Sequence, residues 1–174
     1  MNESKNTLPN RKRLRYNGYD YSTHGLYFVT VCTHNSENIF GTVFELSEFG
    51  KIADEELNKL PSRYENNVEI TIYSIMPNHI HLIIFIKNEN ENSELNLSKI
   101  IGNYKAGASR RIHKINSDIE VWQKSFYDHI ISNEREESNI WDYIQGNKTT
   151  FLSKNGIIDD SYESYLKVKD LFPD

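Results

Sequence analysis

The chain has 174 residues, 37% of them hydrophobic and 26% charged, with eleven tyrosines, one cysteine and a net charge of −5. That length suits one domain with a substantial core, and the single Cys32 excludes an internal disulfide or a zinc thiolate cluster. No apolar run reaches the roughly 18 residues needed to span a bilayer, and the polar N-terminal stretch has no apolar secretion segment, so a cytoplasmic setting without membrane contact is expected.

Residues 1–20 read as a loose basic arm that ends near the turn signal Asn17-Gly18. "GLYFVTVCTH" (25–34) is β-branched and aromatic, a buried strand, and "NIFGTVF" (38–44) a short extended piece or hairpin. Residues 47–60 place Phe49, Ile52, Ala53, Leu57 and Leu60 at helical spacing, with Pro61 marking the end. "NVEITIYSIM" (67–76) and "HIHLIIFIK" (79–87) read as antiparallel strands joined by a Pro77-Asn78 turn, followed by a charged loop at 88–94.

Residues 96–115 predict a helix burying Leu97, Ile100, Ile101, Tyr104, Ala108, Ile112 and Ile115, with Gly102 and Gly107 as points of close backbone approach. "SFYDHIIS" (125–132) reads as a strand. Residues 133–147 predict a helix capped by Asn133, with Ile140, Trp141 and Ile144 inward and Gly146 near its end. From 148 onward the tail is polar, with a weak helical pattern near 161–171. The order β-α-β-β-α-β plus a C-terminal helix predicts an α+β, ferredoxin-like fold: an antiparallel sheet with two helices on one face.

Charge is unevenly spread. Residues 1–15 hold Lys5, Arg11, Lys12, Arg13 and Arg15 against Glu3, and residues 95–117 hold Lys99, Lys105, Arg110, Arg111 and Lys114 against no acid. Together these stretches carry +9, leaving −14 on the rest. An acidic protein can still bind a polyanion through such local patches, because exposed charges are screened beyond about 10 Å. A solvated face explains the same charges equally well.

His79 and His81 alternate with Ile80 on a strand, so they share a face, with β-carbons about 7 Å apart. Two imidazoles at that spacing can converge on one metal ion, or can simply be hydrogen-bonded at a sheet edge. A third ligand is on offer if the last helix covers that face. Tyr143 and Asn147 are four residues apart on one side of it, with Asn139 on the same stripe.

With these residues in view, the chain resembles the HUH single-tyrosine transposases, and among them the REP-associated tyrosine transposases. The likeness runs through "RLRYNGYDYSTHGLYFVTVCTHNSENIFG", "MPNHIHLIIFI", "IIGNYKAGASRRI" and "VWQKSFYDHIISNEREESNIWDYIQGN", spanning about residues 11–150. The family's His-hydrophobic-His motif matches His79-Ile80-His81, and its nucleophilic tyrosine with an amide ligand four residues on matches Tyr143 and Asn147. Where the family commonly has Asn-Pro-x-x-Trp, this chain has Asn147-Lys148-Thr149-Thr150-Phe151.

The resemblance implies a basic arm (1–20), a catalytic domain (21–150) and a tail (151–174). It implies DNA transposition by cleavage and rejoining of single-stranded DNA, with hairpins formed by palindromic repeats as targets and a homodimer as the assembly, a monomer being the alternative. Tyr143 would attack phosphorus through its phenol, leaving a 5′-phosphotyrosine and a free 3′-OH. His79, His81 and Asn147 would hold Mg²⁺ or Mn²⁺, zinc being an option from the imidazoles alone. Arg11, Lys12, Arg13, Arg15, Lys105, Ser109, Arg110 and Arg111 would meet DNA, and Tyr16, Tyr19 and Tyr21 would stack on bases or pack on the sheet. His113, His129 and Asp142 are weak candidates for a general base, and Tyr127 is a rival nucleophile without an amide four residues on. The competing functions are a hairpin-binding protein with an idle site, a metal-dependent phosphodiesterase using water, and an interaction module whose histidines are structural.

Overall fold

Four β-branched and aromatic runs form strands β1 (Gly25–Cys32), β2 (Val68–Met76), β3 (His79–Ile86) and β4 (Tyr127–Ile131) in the computed structural model, which describes residues 20–88 and 95–154. Expectations placed on Arg11, Lys12, Arg13, Arg15, Tyr16, Tyr19, most of the 88–94 loop and the chain beyond 154 lie outside the described residues. The strands pair antiparallel in the order β2-β3-β1-β4, which is the ferredoxin-like α+β arrangement. One irregularity, between Ile70 and Ile72, interrupts the β2–β3 register.

Helices α1 (Glu48–Asn58), α2 (Leu60–Arg63) and α3 (Leu97–Ile112) cover one face of this sheet. Their side chains Ala53, Leu57, Leu60, Leu97, Ile100, Ile101 and Tyr104 pack on Tyr27, Val29, Val31, Ile80, Leu82, Ile84 and Ile86. Fully burying each such aliphatic side chain contributes about 1.5–3 kcal/mol, so this layer is the main stabilising unit. The Tyr104 hydroxyl, sealed in this core, donates to Ala53 O at 3.2 Å. Tyr21 packs against the same core, its ring 6.1 Å from that of Tyr27.

Local chemistry sets the helix ends. Ser47 Oγ accepts from Gly50 N and Asn96 Oδ1 from Lys99 N, each cap satisfying an orphan donor. Pro61 does not end helical structure as expected; it sits in the first turn of α2, where its missing N–H has no partner to lose. Ile115 lies past the end of α3 and is 48% exposed, contrary to its expected place in the core. Gly107 makes a close approach, since a Cβ there would stand 2.6 Å from Glu56 Oε2, whereas Gly102 faces open space.

Helix α4 (Glu134–Lys154) lies on the opposite face of the sheet. Ile140 and Ile144 pack there against Phe28 and Ile83. Asn133 Oδ1 caps the helix by accepting from Glu136 N at 2.9 Å. The helix passes through Gly146 and Asn147 and continues to Lys154, rather than stopping near 147. Lys148 keeps the backbone N–H that a proline would lack, and the buried side of the helix goes on through Thr150 to Phe151, which packs on Val43 and Met76.

Candidate active site

Alternation along β3 sends Ile80 and Leu82 into the main core and His79 and His81 to the face under α4. Register then fixes their neighbours. His81 stands between Thr30 of β1 and Ser74 of β2, and His79 between Cys32 and Met76. The imidazole centroids are 4.6 Å apart with planes at 69°, and the Phe28 ring stacks beside His81 at 5.4 Å.

Hydrogen bonds orient both rings. Asn78 Nδ2 donates to Ser36 O, which turns Asn78 Oδ1 toward His79 Nδ1, 2.7 Å away. That oxygen is an acceptor, so Nδ1 carries the proton and Nε2 of His79 is the basic nitrogen. His81 Nδ1 lies 2.8 Å from Thr30 Oγ1, and its Nε2 lies 3.2 Å from the phenol oxygen of Tyr143. With the phenol donating to Nε2, His81 Nδ1–H donates to Thr30, and both rings are the same tautomer. Burial pulls the pKa of His79 down to about 4, and burial and then the neighbouring His79 hold His81 well below its ordinary value. Both rings are therefore neutral at physiological pH, the form that ligates metal.

Tyr143 and His81 thus meet within a single chain. Asn147 is 8% exposed and lies one turn beyond Tyr143, between Ile144 on Phe28 and Ile83 and Phe151 on Met76. Among the described residues no three His, Cys, Asp or Glu side chains gather as a metal-holding group. Two neutral imidazoles whose Nδ1 atoms are already engaged, with the buried amide of Asn147 one turn beyond Tyr143 on the overlying helix, are nonetheless donors of the chemistry that fits a divalent ion.

The remaining candidates separate. His113 Nε2 is bonded to Ile119 O, beyond α3, and Asp142 is exposed. His129 shares the histidine face, opposite Phe28, but is paired to Glu136 Oε1 at 2.6 Å. Burial would raise the Glu136 pKa, yet hydrogen bonds from Ser132 N and His129 hold it below the usual value, so this pair fastens the start of α4 to β4. Tyr127 lies opposite Thr30 and is 48% exposed.

The basic helix α3 is on the far side of the sheet from the histidines. Lys105 Nζ donates to the carbonyls of Gln123 and Ser125, bracing the approach to β4, and burial lowers its pKa. Arg111 donates to Glu55 and Glu56 of α1. Arg110 is exposed and Ser109 half-buried. Sequence reasoning missed Thr30 and Asn78. For Asn78 its adjacency to His79 was a readable clue; for Thr30 only the β1–β3 register supplies one.

Comparison with known proteins gives a consistent result. The family described as transposase IS200-like matches residues 25–147. An uncharacterised Haemophilus influenzae protein is 28% identical over 161 residues, covering 80% of this chain and 89% of its own. A second Haemophilus influenzae protein, provisionally described as a REP-associated tyrosine transposase, is 21% identical over 152 residues, covering 84% and 82%. Among solved structures, a REP-associated tyrosine transposase bound to a REP hairpin superposes with a TM-score of 0.61 at 19% identity, over 83% of this chain and 75% of that one.

Proposed function

We propose that this chain, which belongs to the IS200-like transposase family and is thereby an enzyme of DNA transposition, cuts and rejoins single-stranded DNA with Tyr143 as nucleophile. His79, His81 and Asn147 are the residues that would hold a divalent ion, Mg²⁺ or Mn²⁺. Such an ion, when bound, would offset charge on a non-bridging phosphate oxygen. The observation that carries the reading is the 3.2 Å contact between Tyr143 Oη and His81 Nε2.

The chain's own residues divide the work. Thr30 and Asn78 hold the imidazoles in one tautomer, and Phe28 walls the site and excludes water beside His81. Helix α4 presents the phenol over the ring pair, its start fastened by Glu136 and His129. Tyr143 oxygen bonds to phosphorus, the bond from phosphorus to the 3′ oxygen breaks, and the phenol's proton ends on the departing 3′-OH. A phenol, with a pKa near 10, is also a good leaving group, so a second 3′-OH can displace it and rejoin strands without an added energy source.

The solved fold neighbour was bound to a REP hairpin, which supports hairpin DNA as the substrate class. Cations at Arg11, Lys12, Arg13, Arg15 and Arg110, with Ser109, are the proposed phosphate contacts, while Lys105 and Arg111 would have to leave internal partners to join them. One protomer supplies both phenol and imidazoles, so the homodimer expected from the family likeness is not needed to assemble them. No helix among the described residues is long and apolar enough to cross a membrane.

The test is incubation with labelled single-stranded hairpin DNA and Mn²⁺. The wild type gives a denaturation-resistant adduct that maps to Tyr143, and Tyr143→Phe gives none while keeping hairpin binding. Cleavage without an adduct would instead establish a water-using phosphodiesterase.

A further inference from the structure

Three large apolar side chains stand exposed among the described residues: Phe44 at 75%, Ile115 at 48% and Tyr127 at 48%. Ile115 follows α3, away from the candidate active site. The two aromatic rings do not. We infer that Tyr127 and Phe44 are stacking platforms for unpaired bases on the two sides of the phosphodiester that Tyr143 attacks, an inference that rests on the strand-cleaving reading above.

Tyr127 opens β4 directly opposite Thr30, and Thr30 is directly opposite His81. Residues paired across strands share a face, so Tyr127 is on the histidine face, two strand spacings, or about 10 Å, from His81 along the sheet. Its approach is rigid. Trp122 bridges to Thr33, Gln123 N donates to Cys32 O, and Lys105 Nζ clamps the carbonyls of Gln123 and Ser125. Exposed Lys124, three residues before Tyr127 in the chain, offers a cation for the backbone phosphate.

Phe44 belongs to a turn anchored, through its neighbour Val43, on the β2 side of His79. It sits in a turn closed by the Gly41–Leu46 bridge, with Thr42 Oγ1 accepting from Phe44 N and Glu45 N. Its neighbour Val43 is tucked against Met76, and Met76 is paired with His79. The turn is thereby fastened beside the β2 flank of the site, while Tyr127 marks the β4 flank. Exposed aromatic rings add nothing to the core, but a base has a π-face whatever its identity, and loss of one stacking ring typically weakens single-strand binding about five- to a hundredfold.

The experiment uses the full chain in the Tyr143→Phe background, without metal, so that binding is read apart from chemistry. The probe is a DNA hairpin carrying a single-stranded flank with 2-aminopurine placed at each position in turn. Stacking predicts quenching at a few flank positions. Tyr127→Ala and Phe44→Ala each lose the quench at a different position and weaken binding at least fivefold, while Tyr127→Phe and Phe44→Trp keep both. The inference is overturned if both alanine variants quench and bind like their parent, or if Tyr127→Phe behaves like Tyr127→Ala, which would assign the work to the hydroxyl. An adduct in the wild type with no quench lost in the variants sinks the platforms alone. Quench lost on schedule with no adduct sinks the cleavage reading alone.

Discussion

The phenol oxygen of Tyr143 occupies the same imidazole nitrogen, Nε2 of His81, that a metal ion would have to take. On the proposed reading the phenol and an ion would compete for one lone pair, and an ion taken up there would have to displace the phenol.

Removing the competitor should show this directly. A neutral hydrogen bond has a net worth of about 1 kcal/mol, so Tyr143→Phe is expected to tighten Mn²⁺ binding about fivefold while abolishing covalent attachment to DNA. Titration calorimetry of both proteins checks it; equal affinities would mean that the phenol does not guard the ring.

Thr30→Val keeps shape but withdraws the partner of His81 Nδ1. Loss of such an outer partner typically costs about 10–100-fold in metal affinity, and the same drop is expected here with the thermal midpoint nearly unchanged. Asn78→Ala should act likewise on His79, since Asn78 Oδ1 fixes that ring's tautomer. Metal titration beside a melting curve separates orientation from folding.

Glu56 should make the fold acid-sensitive. Its burial alone would raise the carboxyl's pKa, but hydrogen bonds from Lys59, Arg63 and Arg111 bring it down from 4.5 to about 2. Between those values the unfolded chain binds a proton that the folded chain refuses, so stability falls as pH drops through that window and is unaffected by this group above it. Glu56→Gln should flatten the acid limb of a stability-against-pH curve and cost about 1–3 kcal/mol at neutral pH, because the three cations lose a charged acceptor.

The two glycines of α3 should respond with opposite signs. A methyl at Gly107 would press on a carboxylate oxygen that those same cations hold in place, so Gly107→Ala is expected to destabilise by about 1–3 kcal/mol. Gly102 meets nothing within 4 Å, and Gly102→Ala should stabilise by up to about 1 kcal/mol. Urea unfolding of the pair reads both.

The pattern of residues already contained much of this. β-branched and aromatic runs, alternating at 67–76, located the four strands, and the alternation of His79 and His81 with Ile80 and Leu82 assigned their faces. The four-residue spacing of Tyr143 and Asn147 put them on one side of a helix, and the structure lays that helix over the ring pair. What could not be read was whatever depends on partners distant in the chain. Arg111 looks like a phosphate contact until α1 brings Glu55 and Glu56 beside it, and Lys105 until two backbone carbonyls near residue 124 surround its ammonium. Thr30 has no distinguishing mark before strand pairing sets it opposite His81. Helix α4 runs on to Lys154, and Lys148, unlike a proline, leaves its backbone ladder unbroken.

Strand β3 ties correct assembly to chemical competence. A slip of one position against its neighbours would drop both imidazoles into the aliphatic layer and turn Ile80 and Leu82 to the face under α4. The penalty for that error falls on the aliphatic layer, so the placement of the two imidazoles is governed by residues on the other face of the strand. Substitution at the two histidines would leave the aliphatic layer intact, whereas substitution at Ile80 and Leu82 would disturb that layer and the placement of the imidazoles together.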